Sequence, residues 1–69
     1  MISGGLDIGG TKIEARLFDE GMGLRDSRRV PTPRDSADSF FAALAGQVAW
    51  LRAQAGADLP VGIAMTGLV

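Results

Sequence analysis

Leu6-Asp7-Ile8-Gly9-Gly10-Thr11-Lys12 is the stretch on which the reading of this chain turns. The run from Ile2 to Ile8 carries a single charge, Asp7, and stops at two glycines. It resumes as Lys12-Ile13-Glu14-Ala15-Arg16-Leu17-Phe18, with charged and apolar residues alternating. That pattern predicts two strands joined by a tight turn after Gly9-Gly10. Strand alternation puts Ile13, Ala15 and Leu17 on one face and Lys12, Glu14 and Arg16 on the other, so one face packs and one stays polar.

The same stretch concentrates chemistry. Glycines lack a Cβ, so the backbone at Gly9 and Gly10 is expected to turn with positive φ and to let a phosphate approach its N–H groups. Thr11 adds a hydroxyl donor, Lys12 a point charge, and Asp7 a carboxylate able to hold a magnesium ion directly or through water. Together these suit the tail of ATP. Gly5, Gly10, Thr11 and Lys12 have the glycine spacing of a P-loop, but the last two residues are reversed and a strand follows instead of a helix. No glycine triplet of dinucleotide-binding spacing opens a helix. A plainer reading stays open, in which Gly9-Gly10 only makes a hairpin and Asp7 only caps it. An Asp buried in such a strand would still need a partner.

Outward from this hairpin, Asp19-Glu20-Gly21-Met22-Gly23 supplies a second turn, and Leu24 to Thr32 reads as a charged edge strand completing an antiparallel meander. Pro31 and Pro33 end it. Ser36 or Asp38 is expected to cap a helix in which Phe41, Leu44, Val48, Leu51 and Ala55 recur at helical spacing and Gly56 closes the end. Trp50 and Phe40 fall off that stripe and are expected to pack against further parts of the domain. Val61-Gly62-Ile63-Ala64-Met65 has no charge on either face, as expected of a strand covered on both sides and parallel to the first. The fold class expected is α/β: β-β-β-α-β with a mixed, incomplete sheet, residues 1–69 making the first portion of one domain.

Bulk composition sets limits. A chain of 69 residues with 46% hydrophobic and 22% charged residues has the balance of a globular protein. It has neither cysteine nor histidine, so disulfide and zinc staples are both excluded. With a net charge of -1 and its arginines interspersed with aspartates, it is not expected to bind nucleic acid. No stretch approaches the roughly 20 apolar residues of a membrane span, and the start lacks the pattern of an export signal, so a cytoplasmic location is expected.

Three blocks, Leu6 to Ile13, Arg29-Val30-Pro31-Thr32-Pro33-Arg34-Asp35-Ser36, and Val61 to Val69, together resemble the ROK group of bacterial sugar kinases and sugar-sensing repressors, within the actin-like and hexokinase-like ATPases. The resemblance implies an ATP-dependent, magnesium-requiring carbohydrate kinase. In it Asp7, Gly9, Gly10, Thr11 and Lys12 form the first phosphate loop, and Asp7 serves the metal. Gly67 opens a loop near the sugar. Thr66 stands where the family often has proline, and either lends a hydroxyl to the sugar site or closes a strand-ending turn.

The second block is most similar to the N-acetylglucosamine kinases of the family, which makes an N-acetylhexosamine or hexose the expected acceptor. The resemblance also implies a homodimeric parent, with a catalytic aspartate and a zinc-binding, cysteine-rich segment both outside these residues. This stretch alone is therefore expected to be inactive, with no catalytic base of its own. The alternative is the sugar-sensing domain of a ROK repressor. A first strand starting next to Met1 leaves no room for a preceding DNA-binding domain, and so points to the kinase.

Overall fold

The computed structural model describes residues 2–65. Four strands and one helix follow in the order β1 (Ser3–Ile8), β2 (Lys12–Phe18), β3 (Leu24–Pro31), α1 (Ala37–Ala55) and β4 (Val61–Met65). The sheet order is β3-β2-β1-β4: the first three strands form an antiparallel meander, and β4 joins β1 in parallel after the α1 crossover. The expected β-β-β-α-β mixed sheet is the one observed.

Helix α1 lies over β1 and β2. Leu6, Ala15 and Leu17 meet Leu51 and Leu59 in the buried core, with Ile2, Leu44, Val48, Trp50, Ala55 and Val61 packed around them. Gly4 lets the helix come this close, because a Cβ there would lie 3.1 Å from Leu51 and 3.2 Å from Leu59. Ser36 is the N-cap, its hydroxyl accepting the Ser39 N–H at 3.1 Å, while Asp38 sits in the first turn. Gly56 closes the helix at φ 110° and donates its N–H to the Arg52 carbonyl at 2.7 Å.

Three expectations change. Phe41 is not on the buried stripe but 62% exposed, whereas Trp50, expected to look elsewhere, packs on the core. The residue that fills the stripe is Gln47, fully buried. Its Nε2 donates to the Ile13 carbonyl at 2.9 Å and the Arg28 carbonyl at 2.7 Å, which ties α1 to β2 and β3. Satisfied in this way, a polar side chain is no burden to the core.

The third change concerns β4. It was expected to be covered on both faces; among the described residues Val61 is half-buried and Gly62 to Met65 are exposed, α1 being seated mainly over β1 and β2.

Candidate functional site

The turn between Ile8 and Lys12 closes with a hydrogen bond from the Gly9 N–H to the Lys12 carbonyl at 2.9 Å, which places Gly10-Thr11 at the tip. Positive φ is found at Gly56 and Met22 among the described residues, not at Gly9 or Gly10, so the loop turns without the left-handed backbone. Both glycines still lack a Cβ, which leaves the loop backbone open to a close ligand.

The carbonyls of this loop are held from a distance. Thr32 donates its hydroxyl to the Gly9 carbonyl at 2.9 Å and its N–H to the Thr11 carbonyl at 3.0 Å. Arg34 Nη2 donates to the Gly10 carbonyl at 2.8 Å. Pro31 makes this possible. It pairs with Lys12, between the Thr11–Thr32 bond and the Ile13–Val30 pair, at the alternate position where an antiparallel ladder asks for no N–H. The second sequence block thus folds directly onto the first. Sequence reasoning attached no physical role to Thr32 and Arg34; the available signal was an edge strand carrying its proline at its very end.

Asp7 lies next to the end of β1, on the face away from α1, directly across from Glu14 on β2. Two carboxylates in this position repel unless bridged. Arg16 bridges them: its Nε and Nη2 donate to Glu14 Oε1 at 3.0 and 2.6 Å, and its Nη2 is 3.7 Å from Asp7 Oδ2. Arg29 Nη2 adds a bond to Glu14 Oε2 at 3.3 Å. The expected polar face therefore buries one of its members, since the two guanidinium groups cover Glu14. The bond from Arg16 holds the Glu14 carboxyl below its usual value near 4.5, against the opposing effect of burial, and Arg29 pulls the same way.

Gly5, Asp7, Arg16, Phe18, Gly62 and Ile63 line an open hollow of about 400 Å³ on this face. Thr11 and Lys12 are exposed beside it along the chain, and Ala64 and Met65 of β4 run level with Asp7 and Ile8. The loop and Asp7 are thus brought together at one end of the sheet, whereas Thr66 and Gly67 lie outside the described residues.

Among the described residues no group of three or more histidine, cysteine, aspartate or glutamate side chains converges. The single Asp7 carboxylate at the loop is of the type that magnesium takes, one or two carboxylates completed by water and phosphate oxygens. Among the described residues no helix is long and apolar enough to cross a membrane.

Comparison with known proteins agrees in sequence and in backbone. The chain is 46% identical over 65 residues to an N-acetylgalactosamine kinase of Shewanella sp. strain ANA-3, covering 94% of this chain and 21% of that protein. It is 47% identical over 64 residues to an N-acetyl-D-glucosamine kinase of Escherichia coli, covering 93% and 21%. A ROK family glucokinase from Streptomyces griseus, solved with glucose and AMPPNP, matches the whole chain over 22% of its own length, with TM-score 0.78 and 34% identity. A ROK hexokinase from Thermus thermophilus matches with TM-score 0.77 and 36% identity, over 24% of its length. The chain therefore spans about a fifth of the length of the relatives it matches. The ROK family model matches residues 3–69, and with nearly the whole chain accounted for, this chain belongs to the ROK family.

Proposed function

We propose that this chain is the first portion of the nucleotide-binding domain of an ATP-dependent sugar kinase, residues 1–69, and that it contributes the first phosphate loop. The observation carrying this reading is the fit of its full backbone to a glucokinase solved with glucose and AMPPNP. The hairpin after β1, with Asp7 beside it, supplies residue types that match that use.

Bound with its magnesium ion, ATP would supply the phosphoryl group and a counter-charge for it. In this proposal Gly9 and Gly10 leave room for the phosphates, the Gly10 and Thr11 N–H groups bond their oxygens, and the Thr11 hydroxyl and Lys12 ammonium add donors of fixed and mobile position. Asp7 takes the metal, with the Arg16 guanidinium 3.7 Å from its carboxylate to orient it. The acceptor is a hexose or N-acetylhexosamine, and the two N-acetylhexosamine kinases among the relatives support the leaning toward N-acetylglucosamine. Thr66 and Gly67 are proposed to approach that sugar. None of the chain's carboxylates is assigned as the base.

The test is phosphorylation of glucose, N-acetylglucosamine and N-acetylgalactosamine by the full-length product of the reading frame that encodes this chain, with MgATP. Turnover on at least one is expected, and the 69-residue chain alone is expected to give none. No turnover by the full-length product on any hexose would overturn the kinase reading.

A further inference from the structure

The segment after β3 does something that the residue types of the phosphate loop do not explain. Three consecutive carbonyls, those of Gly9, Gly10 and Thr11, accept hydrogen bonds from Thr32 and Arg34, which lie 21 to 24 residues away in sequence. In a trans peptide unit the C=O and the following N–H point in opposite directions. Fixing the Gly9 carbonyl therefore aims the Gly10 N–H, fixing the Gly10 carbonyl aims the Thr11 N–H, and fixing the Thr11 carbonyl aims the Lys12 N–H. Each is turned away from the atom that holds its neighbour. Among the described residues neither the Gly10 nor the Thr11 N–H has an acceptor.

We propose that Thr32 and Arg34 are positioning residues that aim the Gly10 and Thr11 N–H groups of the Gly9–Lys12 loop at phosphate by holding its carbonyls from behind. The proposal rests on the reading of this loop as a nucleotide site. It also accounts for the Val30-Pro31-Thr32-Pro33-Arg34 block. Pro31 leaves the ladder intact, and Pro33 keeps Thr32 in the extended geometry from which both its N–H and its hydroxyl reach the loop. A loop without positive-φ glycines has no local device of its own to set these planes, and the remote donors supply one. Arg34 acts here as a donor to a carbonyl, not as a charge on the ligand.

The experiment uses the full-length product. Thr32→Val removes only the hydroxyl bond, Thr32→Ser keeps it, Arg34→Gln keeps an N–H donor without charge, and Arg34→Ala removes both. Loss of one such hydrogen bond is expected to raise the KM for MgATP about fivefold in Thr32→Val, with the sugar KM and the thermal midpoint little changed. Thr32→Ser should stay close to the parent, and Arg34→Gln should be milder than Arg34→Ala.

Amide order parameters of Gly9, Gly10 and Thr11, measured without ligand, should fall from about 0.85 toward 0.6 in Thr32→Val. An unchanged KM for MgATP in Thr32→Val would overturn the proposal. So would equal effects of Thr32→Val and Thr32→Ser, or Arg34→Gln behaving like Arg34→Ala. If the parent protein phosphorylates no sugar, the kinase reading fails separately. The order parameters still decide the tether: loop amides that stay rigid in Thr32→Val refute it, and amides that loosen in Thr32→Val but not in Thr32→Ser uphold it.

Discussion

The two turns that bracket β2 are built from similar residues and solve their hydrogen bonding in opposite ways. At Asp19–Gly23 the turn closes on itself: the Asp19 carboxylate accepts the N–H groups of Gly21 and Gly23 at 3.0 and 2.9 Å, and backbone bonds join Asp19 to Gly23 and Met22 to Asp19. Its donors are consumed locally. At Gly9–Lys12 the remote partners take the carbonyls, and among the described residues the Gly10 and Thr11 N–H groups have no acceptor. A carboxylate in a turn thus means different things according to where its lone pairs go. Asp19 satisfies its own loop, whereas Asp7 stands one strand position before its loop, next to Arg16 and across from Glu14.

The largest expected effect breaks the comparison from the functional side. In the full-length product, Asp7→Asn should lower kcat/KM for phosphorylation by about 100-fold or more, the scale seen when a group facing the reacting charge is removed, with the fold retained. Asp19→Ala should do the reverse. Its loss hands two exposed backbone donors to water and should cost about 1 kcal/mol of stability by denaturant titration, while the KM for MgATP stays unchanged. A matching loss of activity in Asp19→Ala would mean the two turns are not functionally distinct.

Much of this was legible in the sequence, for identifiable reasons. Alternation along Lys12–Phe18 marks β2, paired glycines mark both turns, and the uncharged Val61–Met65 run marks β4 as a strand beside β1. Two of the misses share an origin, since periodicity registers apolar side chains and is blind to satisfied polar ones. Gln47 fills the helix stripe because two carbonyls meet its amide, and Glu14 is buried on a nominally polar face because two arginines cover it. Phe41 has the right spacing but lies toward the helix start, away from Leu51 and Leu59 at the centre of packing. At the candidate site the residue types of Asp7–Lys12 were readable, but the donors that hold the loop were not, because a hydrogen bond between residues 24 apart leaves no local pattern.

The polar face behind the first turn carries a pH dependence. Glu14 has a folded pKa below its ordinary value near 4.5, chiefly through the bond from Arg16. Below about 4.5 the unfolded chain takes up a proton that the folded state refuses, so the stabilisation is complete above that pH and fades as pH falls through the depressed folded value. Both arginines are well exposed, so solvent screening keeps the contribution modest, about 1 kcal/mol or less. Glu14→Gln should therefore flatten the fall of the thermal midpoint between pH 5 and pH 3, taken as approximate limits around that titration. Parallel midpoint curves for parent and variant would show that the pairing with Arg16 and Arg29 does not matter for stability.

The smallest expected effect sharpens the comparison from the structural side. Met22 adopts φ 64° in the second turn, a left-handed backbone that a side chain with a Cβ resists and that asparagine tolerates best. Its side chain is exposed, so no packing is lost by changing it. Met22→Asn should stabilise the protein by about 0.5 kcal/mol, read as a higher denaturation midpoint at constant slope. Met22→Gly should gain less, because glycine also loosens the unfolded chain. A turn that only has to close can carry this strain and be improved by relieving it. The Gly9–Lys12 loop has no such strain to relieve, its planes being set by Thr32 and Arg34, so Met22→Asn should leave the KM for MgATP where it is even as stability rises.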